Sequence, residues 1–205
     1  MASDDVKSRH DERAEKPKRA DAQRNVDTVL KAAVAVFDRM GVDAPMRTIA
    51  VEAGVGVGTI YRHFPQRSDL IRAIIQREVD DCVEAAAILR KELAPIEALS
   101  TWVQRLVDLA GTKRGLGPAL HSGDPAYEAL PNYVMGQLTP ALRGLLDDAA
   151  AAGDIGGDVD AAVLLPAAMR LAAAASEGQG AEARRMVALL IDGLRYRANT
   201  ECRDF

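Results

Sequence analysis

Cysteine is almost missing: the 205 residues hold two, Cys82 and Cys202. That excludes a disulfide-dense secreted module. Aromatic residues make up only 4% of the chain, against 37 alanines. Alanine is the best helix former, whereas strands draw on β-branched and aromatic residues, so an all-β fold is all but excluded. The opening Met1-Ala2-Ser3-Asp4-Asp5 lacks the apolar stretch of a secretion signal. Nor does any uncharged apolar run reach the roughly 18 residues that suggest a membrane span. The nearest run, Ala161–Ala175, is interrupted by Pro166 and Arg170. What remains is an all-α chain expected in the cytoplasm, away from any membrane.

Positive charge is in overall deficit, with a formal net charge of −4, which speaks against a general nucleic-acid binder. Its placement is more informative. Residues 1–15 hold 3 basic and 5 acidic side chains, residues 16–77 hold 11 and 6, and residues 78–205 hold 12 and 19. A basic segment on an acidic remainder is the pattern expected when one part meets phosphates and the rest must not. Chance surface composition is the alternative at this point.

Residues 1–20 are highly charged, with few large apolar residues, and read as a disordered tail. The tail ends in Lys16-Pro17-Lys18-Arg19, a basic cluster that is either solvated or touches a DNA backbone. From Asp21 a helical spacing begins, with Val26, Val29, Leu30, Ala33, Val36, Phe37 and Met40 on one stripe up to Gly41. Pro45 suits the first turn of a short helix bearing Met46, Ile49, Ala50 and Ala53, which Gly54 ends. Residues 57–64 form another short helix stopped by Pro65. Two short helices across a glycine-containing turn make a helix-turn-helix within residues 21–66. A linking helix over 67–93, a helix over 95–110, an irregular stretch over 111–126 with room for a short helical turn near Leu116–Leu120, helical 127–152 broken near Pro131 and Pro140, and helices over 159–176 and 181–198 bring the expected total to about nine.

On a wheel of about 100° per residue, Val57, Ile60 and Phe64 fall on one side and Gly58, Thr59, Arg62 and His63 on the other. Tyr61 sits on the boundary. The polar side has what a groove-reading helix needs: little bulk at Gly58, hydroxyl and imidazole donors for phosphates, and an arginine able to fork onto guanine. Arg47 and Thr48 stand near the start of the preceding helix, whose N–H groups can face a phosphate. Arg67 follows the reading helix and can hold the backbone beyond it. An ordinary helical hairpin with a polar outer face satisfies much of the same pattern.

Other motifs are weaker. Gly54-Val55-Gly56-Val57-Gly58-Thr59 imitates a dinucleotide loop, but its last glycine is missing and a helix precedes it where a strand is required. Neither cysteine has Cys or His at ligand spacing, so no metal site is expected, and no cofactor. No nucleophile–base arrangement suggests an enzyme.

Ile49-Ala50, Ala53-Gly54-Val55 and Gly58-Thr59-Ile60-Tyr61-Arg62-His63-Phe64-Pro65 together resemble the signature of TetR-type transcriptional regulators, over roughly residues 24–75. The resemblance implies an N-terminal three-helix DNA-binding domain, a fourth linking helix, and a helical ligand-binding and dimerisation domain over residues 67–205. It places Thr59, Tyr61 and His63 at positions that contact DNA, mainly its backbone, and sets Val57, Gly58 and Arg62 at or beside the bases. Arg47 and Arg67 become phosphate clamps. Gly56 departs from the pattern, since many relatives carry Ser there; glycine tolerates an N-cap but supplies no side-chain oxygen.

The last two helices suit pairing with a second copy: Leu164, Leu165, Ala168, Leu171, Met186, Leu189, Leu190 and Leu194 are apolar, and small neighbours permit close approach. Family members commonly join these helices into a four-helix dimer interface, although packing within one subunit must use part of the set. Candidate pocket-lining residues are Trp102, Leu106, Leu116, His121, Tyr133, Met135, Leu138, Met169 and Arg170, each with a plain core role as its alternative. Arg170 can pair with an acidic ligand, pair with a partner carboxylate, or snorkel to solvent. The stretch from Trp102 to Leu120 resembles a TetR subgroup whose ligands are mostly unassigned. The resulting expectation is a homodimeric repressor of a palindromic double-stranded operator, responsive to an unknown small molecule. The alternatives are a helical carrier or enzyme that kept the fold without DNA binding, and an activator or nucleoid-type binder without effector.

Overall fold

The first apolar stripe folds as its spacing predicts. In the computed structural model, residues 25–40 form α1 and bury Val29, Leu30, Ala33, Val36 and Phe37. The structure describes residues 25–120, 122–174 and 180–201, with side chains for all of these except 111–115, 117–120, 173–174 and 196–201. The expected tail, its basic cluster, His121 and Cys202 lie outside the described residues. Met40 continues the spacing of α1 but is exposed. Gly41 ends the helix at φ +79°, a left-handed conformation that costs glycine little, and its N–H donates to the Phe37 carbonyl at 2.8 Å.

Helix α2 spans Met46–Glu52 and buries Met46, Ile49 and Ala50; Pro45 sits at its N-cap, one position earlier than expected. Gly54 turns the chain at φ +67°, and the Val55 N–H closes the turn on the Ala50 carbonyl at 3.0 Å. Helix α3 spans Val57–His63 and packs against α2. The Phe64 N–H returns to the Ile60 carbonyl at 2.7 Å, and Pro65 has no N–H with which to continue.

The chain divides into two compact units, Met1–Leu70 and Ile71–Phe205, and the division falls just after the first turn of α4 (Arg67–Glu92). The second unit also contains α5 (Pro95–Leu120), a 3-10 turn at Pro125–Tyr127, α6 (Leu130–Ala151), α7 (Ala161–Ala174) and α8 (Gly180–Glu201). Eight α-helices and no strand occur among the described residues, against about nine helices expected. The all-α class is as read from composition. Within this unit α5 packs against α6, α7 and α8, and α7 against α6 and α8.

Two expectations here are corrected. The stretch 111–126 is not irregular throughout, because α5 runs to Leu120. Glycines and a proline weaken local preference, but burial of Leu109, Ala110 and Leu116 outweighs it. Nor do the prolines break α6. Pro131 occupies the first turn, where an N–H is not needed, and Pro140 lies inside a helix carried by buried Val134, Leu138, Leu142 and Leu145.

The core of this unit centres on Trp102, whose indole N–H donates to the Cys82 carbonyl at 2.8 Å. Burial, reinforced by the Glu78 carboxylate, pushes the Cys82 thiol up to about 11. Burial also raises Glu78 above the usual carboxylate range, helped by Asp81. Polar ties cross the helix pairs. Arg90 clasps Asp148 through Nε at 2.6 Å and Nη2 at 2.9 Å, the Tyr133 hydroxyl donates to Asp80 at 2.9 Å, and Arg184 pairs with Asp108. The hydrogen bond from Arg90 holds the Asp148 carboxyl below its ordinary value. Among the described residues, no helix is long and apolar enough to cross a membrane.

Candidate nucleic-acid interface

Helix α3 is seven residues long and has one buried arc. Ile60 is fully buried, and Phe64 just past the C-terminus is buried beside it. Gly58, Arg62 and His63 are exposed, Thr59 is half-buried, and Tyr61 is 50% exposed. The outward position of Tyr61 resolves what the wheel leaves open. Val57 corrects the wheel, which groups it with the packing side: it is 39% exposed. Being the first residue of α3, it projects beyond the turn that Ile60 and Phe64 bury. The outer face therefore carries Val57, Gly58, Tyr61, Arg62 and His63.

Capping and charge suit this helix. Gly56 caps it through its backbone alone, the Thr59 N–H donating to the Gly56 carbonyl at 2.9 Å, with no side-chain cap. Arg62 and His63 lie in the last turn, where the Arg62 charge complements the helix dipole. On α2, Arg47 is exposed and Thr48 half-buried. Arg39 of α1 pairs with Glu52 of α2 at 2.8 Å, both side chains well exposed.

Arg67, expected as a phosphate clamp, also makes contacts within the chain. Its Nη1 donates to the carbonyls of Val42 and of Ala44, the latter at 2.7 Å, and the group is partly buried. The α1–α2 connection leaves these carbonyls without helical partners, and the guanidinium satisfies them. The guanidinium thereby ties that connection to the start of α4.

Residues 94–196 match the model described as "Transcriptional regulator SbtR-like, C-terminal domain", and residues 29–74 match that of "Bacterial regulatory proteins, tetR family". A solved TetR transcriptional regulator from Streptomyces coelicolor is 39% identical, with 83% of this chain and 98% of that one covered and a TM-score of 0.72. The chain belongs to the TetR family of transcriptional regulators. A TetR regulator of Mycobacterium vanbaalenii is 33% identical over 87% of this chain and 99% of its own, with a TM-score of 0.69. HTH-type regulators of Staphylococcus aureus share 44% identity over 63 residues, 30% of this chain, and the match spans about a third (34%) of their length. In this TetR-family regulator, α2, the turn at Gly54 and α3 form the DNA-binding helix-turn-helix.

The residues expected to line a pocket differ in burial. Trp102, Leu106, Leu116 and Leu138 are buried core. The Trp102 N–H is satisfied by the Cys82 carbonyl. Tyr133, Met135 and Met169 are half-buried. Arg170 is exposed and donates from Nε to the carbonyl of Pro166 in its own helix at 3.2 Å. An open cavity of about 400 Å³ lies elsewhere, lined by Leu93, Ile96, Glu97, Ser100, Thr101, Ile191, Asp192 and Arg195, and it includes none of the expected residues.

The proposed pairing residues also separate. Leu165 and Ala168 are fully buried within the subunit and Leu164 nearly so. Leu171, Met186, Leu190 and Leu194 are half-buried, and Leu189 is 63% exposed. Val163 of α7, 69% exposed, escapes a reading by sequence because its neighbours Leu164 and Leu165 dominate the apolar pattern.

Proposed function

We propose that this regulator is a homodimeric, effector-responsive repressor that acts in the cytoplasm by binding and not by catalysis. The outer face of α3 carries the reading: Val57, Gly58, Tyr61, Arg62 and His63 point outward together from a helix anchored by Ile60 and Phe64. An apolar side chain, a bare position, an aromatic hydroxyl and a fork of N–H donors suit base edges and flanking phosphates in a major groove. Arg62 is the proposed base reader, and Arg47, Thr48, Thr59, Tyr61 and His63 are the proposed backbone contacts.

Two copies on a palindromic operator must hold their α3 helices about 34–36 Å apart. Exposed Val163 and Leu189, with half-buried Met186, Leu190 and Leu194, are the proposed contacts between the copies. A small-molecule effector acts through the second unit, and it changes DNA affinity only by binding the two states of the dimer unequally.

The test is enrichment of operators from random duplex DNA, followed by anisotropy titration. The expected product is an inverted repeat. Arg62→Ala should lose about 1–3 kcal/mol of discrimination at one base pair of each half-site. A wild-type chain that enriches no sequence overturns the reading.

A further inference from the structure

The seam between α5 and α8 is fastened at one end and open at the other. At the fastened end Arg184 pairs with Asp108, and Gln104 donates from Nε2 to the Arg184 carbonyl at 3.0 Å. The cavity of about 400 Å³ opens further along the same seam, about one to two turns back on α5 and two to three turns on along α8. Its volume suits a small organic molecule. Among the described residues, no hydrogen bond or ion pair engages the side chains of Glu97, Ser100, Asp192 or Arg195 in its walls.

The walls are unbalanced in charge and in donors. Glu97 of α5 and Asp192 of α8 bring one carboxylate from each helix, against the single guanidinium of Arg195, so the cavity is net acidic. Leu93, Ile96 and the buried Ile191 supply its apolar surface. One turn along α5 from Ser100, the Gln104 Oε1 is buried with no donor to satisfy it. The open end of the seam is thus short of positive charge and of N–H groups. We propose that this cavity binds a small organic cation, an ammonium group on an apolar body. Glu97 and Asp192 hold the ammonium from the two helices, and the apolar body lies on Leu93, Ile96 and Ile191. Arg195 disfavours a second positive charge on the same molecule. An occupant of this kind bridges α5 and α8 as Arg184 does at the other end. Leu189, the proposed contact with a second copy, lies roughly 120–160° around α8 from Arg195 and Ile191, so pairing there leaves the cavity open. Binding here needs no DNA, and the site stands or falls apart from the DNA-binding reading.

The experiment titrates the full-length protein, methyl-labelled at isoleucine, with phenethylamine, hydrocinnamate and 2-phenylethanol at low salt. These probes carry a similar aryl body with a positive, a negative or no charge. Phenethylamine should move the Ile96 and Ile191 methyl signals while those of buried Ile60 and Ile74 stay in place. It should bind about five-fold or more tightly than either other probe. The Glu97→Gln/Asp192→Asn double variant should melt within about 2 °C of the wild type, because both side chains are exposed, and should lose that preference. Ser100→Leu, which fills the cavity, should weaken all three probes alike. No movement of Ile96 and Ile191 up to about 10 mM phenethylamine overturns the proposal. So does equal affinity for the three probes, or a preference for the ammonium that survives in the double variant.

Discussion

Replacing Arg67 by methionine separates two roles that the same side chain can play. Methionine keeps most of the apolar stem and removes every donor. Two charge-assisted hydrogen bonds, to the carbonyls of Val42 and Ala44, are lost from a partly buried site. Each such bond contributes about 1.5–3 kcal/mol when fully shielded. Both leave from one nitrogen and water can reach the freed carbonyls, so the expected loss is about 2 kcal/mol for the pair. In a chain of this size that lowers the melting temperature by roughly 4–8 °C. A phosphate clamp gives a different signature: unchanged stability, uniformly weaker DNA binding, and a salt slope shallower by about one unit. Melting curves and salt-dependent anisotropy on the same variant read both. Unchanged melting with a shallower slope would refute the tie and leave the clamp.

Four further outcomes follow from the second unit. Native Cys82 should resist alkylation at pH 8, because burial holds its thiol up at about 11, and peptide mapping by mass spectrometry would detect premature labelling. Since the unfolded thiol ionises first, near 9.0, Cys82 should make stability fall with pH from there towards about 11, and a flat denaturation midpoint across that window in a comparison with Cys82→Ser would contradict it. Gly144→Ala places a methyl against Arg90 and should abolish the Arg90–Asp148 coupling, about 0.5–1 kcal/mol in a double-mutant cycle, since both groups are substantially exposed. Leu189→Glu should convert a dimer to monomer in sedimentation equilibrium while leaving the melting of the subunit's core nearly unchanged; an intact dimer would move the interface elsewhere.

Much of the reading site is local and therefore legible in the chain itself. Gly41 and Gly54 mark the helix ends, Ile60 and Phe64 share an arc four residues apart, and Arg62 must then lie opposite. Spacing gives an angle around a helix axis. It does not say how far the covering neighbours extend, so Val57 is grouped inward by angle and left outside by the end of its turn. Arg67 reads as a free cation until the α1–α2 connection brings two unpaired carbonyls to it.

The second unit divides along the same line. Alanine content, apolar periodicity and the scarcity of aromatic residues were enough to make it helical. Which apolar residues face inward was settled by packing: α7 hides Leu165 and Ala168 and leaves Val163 out, though all three are apolar and close in sequence. Likewise the buried Leu116 keeps α5 helical through glycines that alone would stop it. Local chemistry decides which segments can coil, because the relevant hydrogen bonds and capping groups lie within a few residues of one another. Burial depends on side chains far apart in the chain that meet only when it folds, so only the tertiary structure assigns each apolar residue to the core or to the surface.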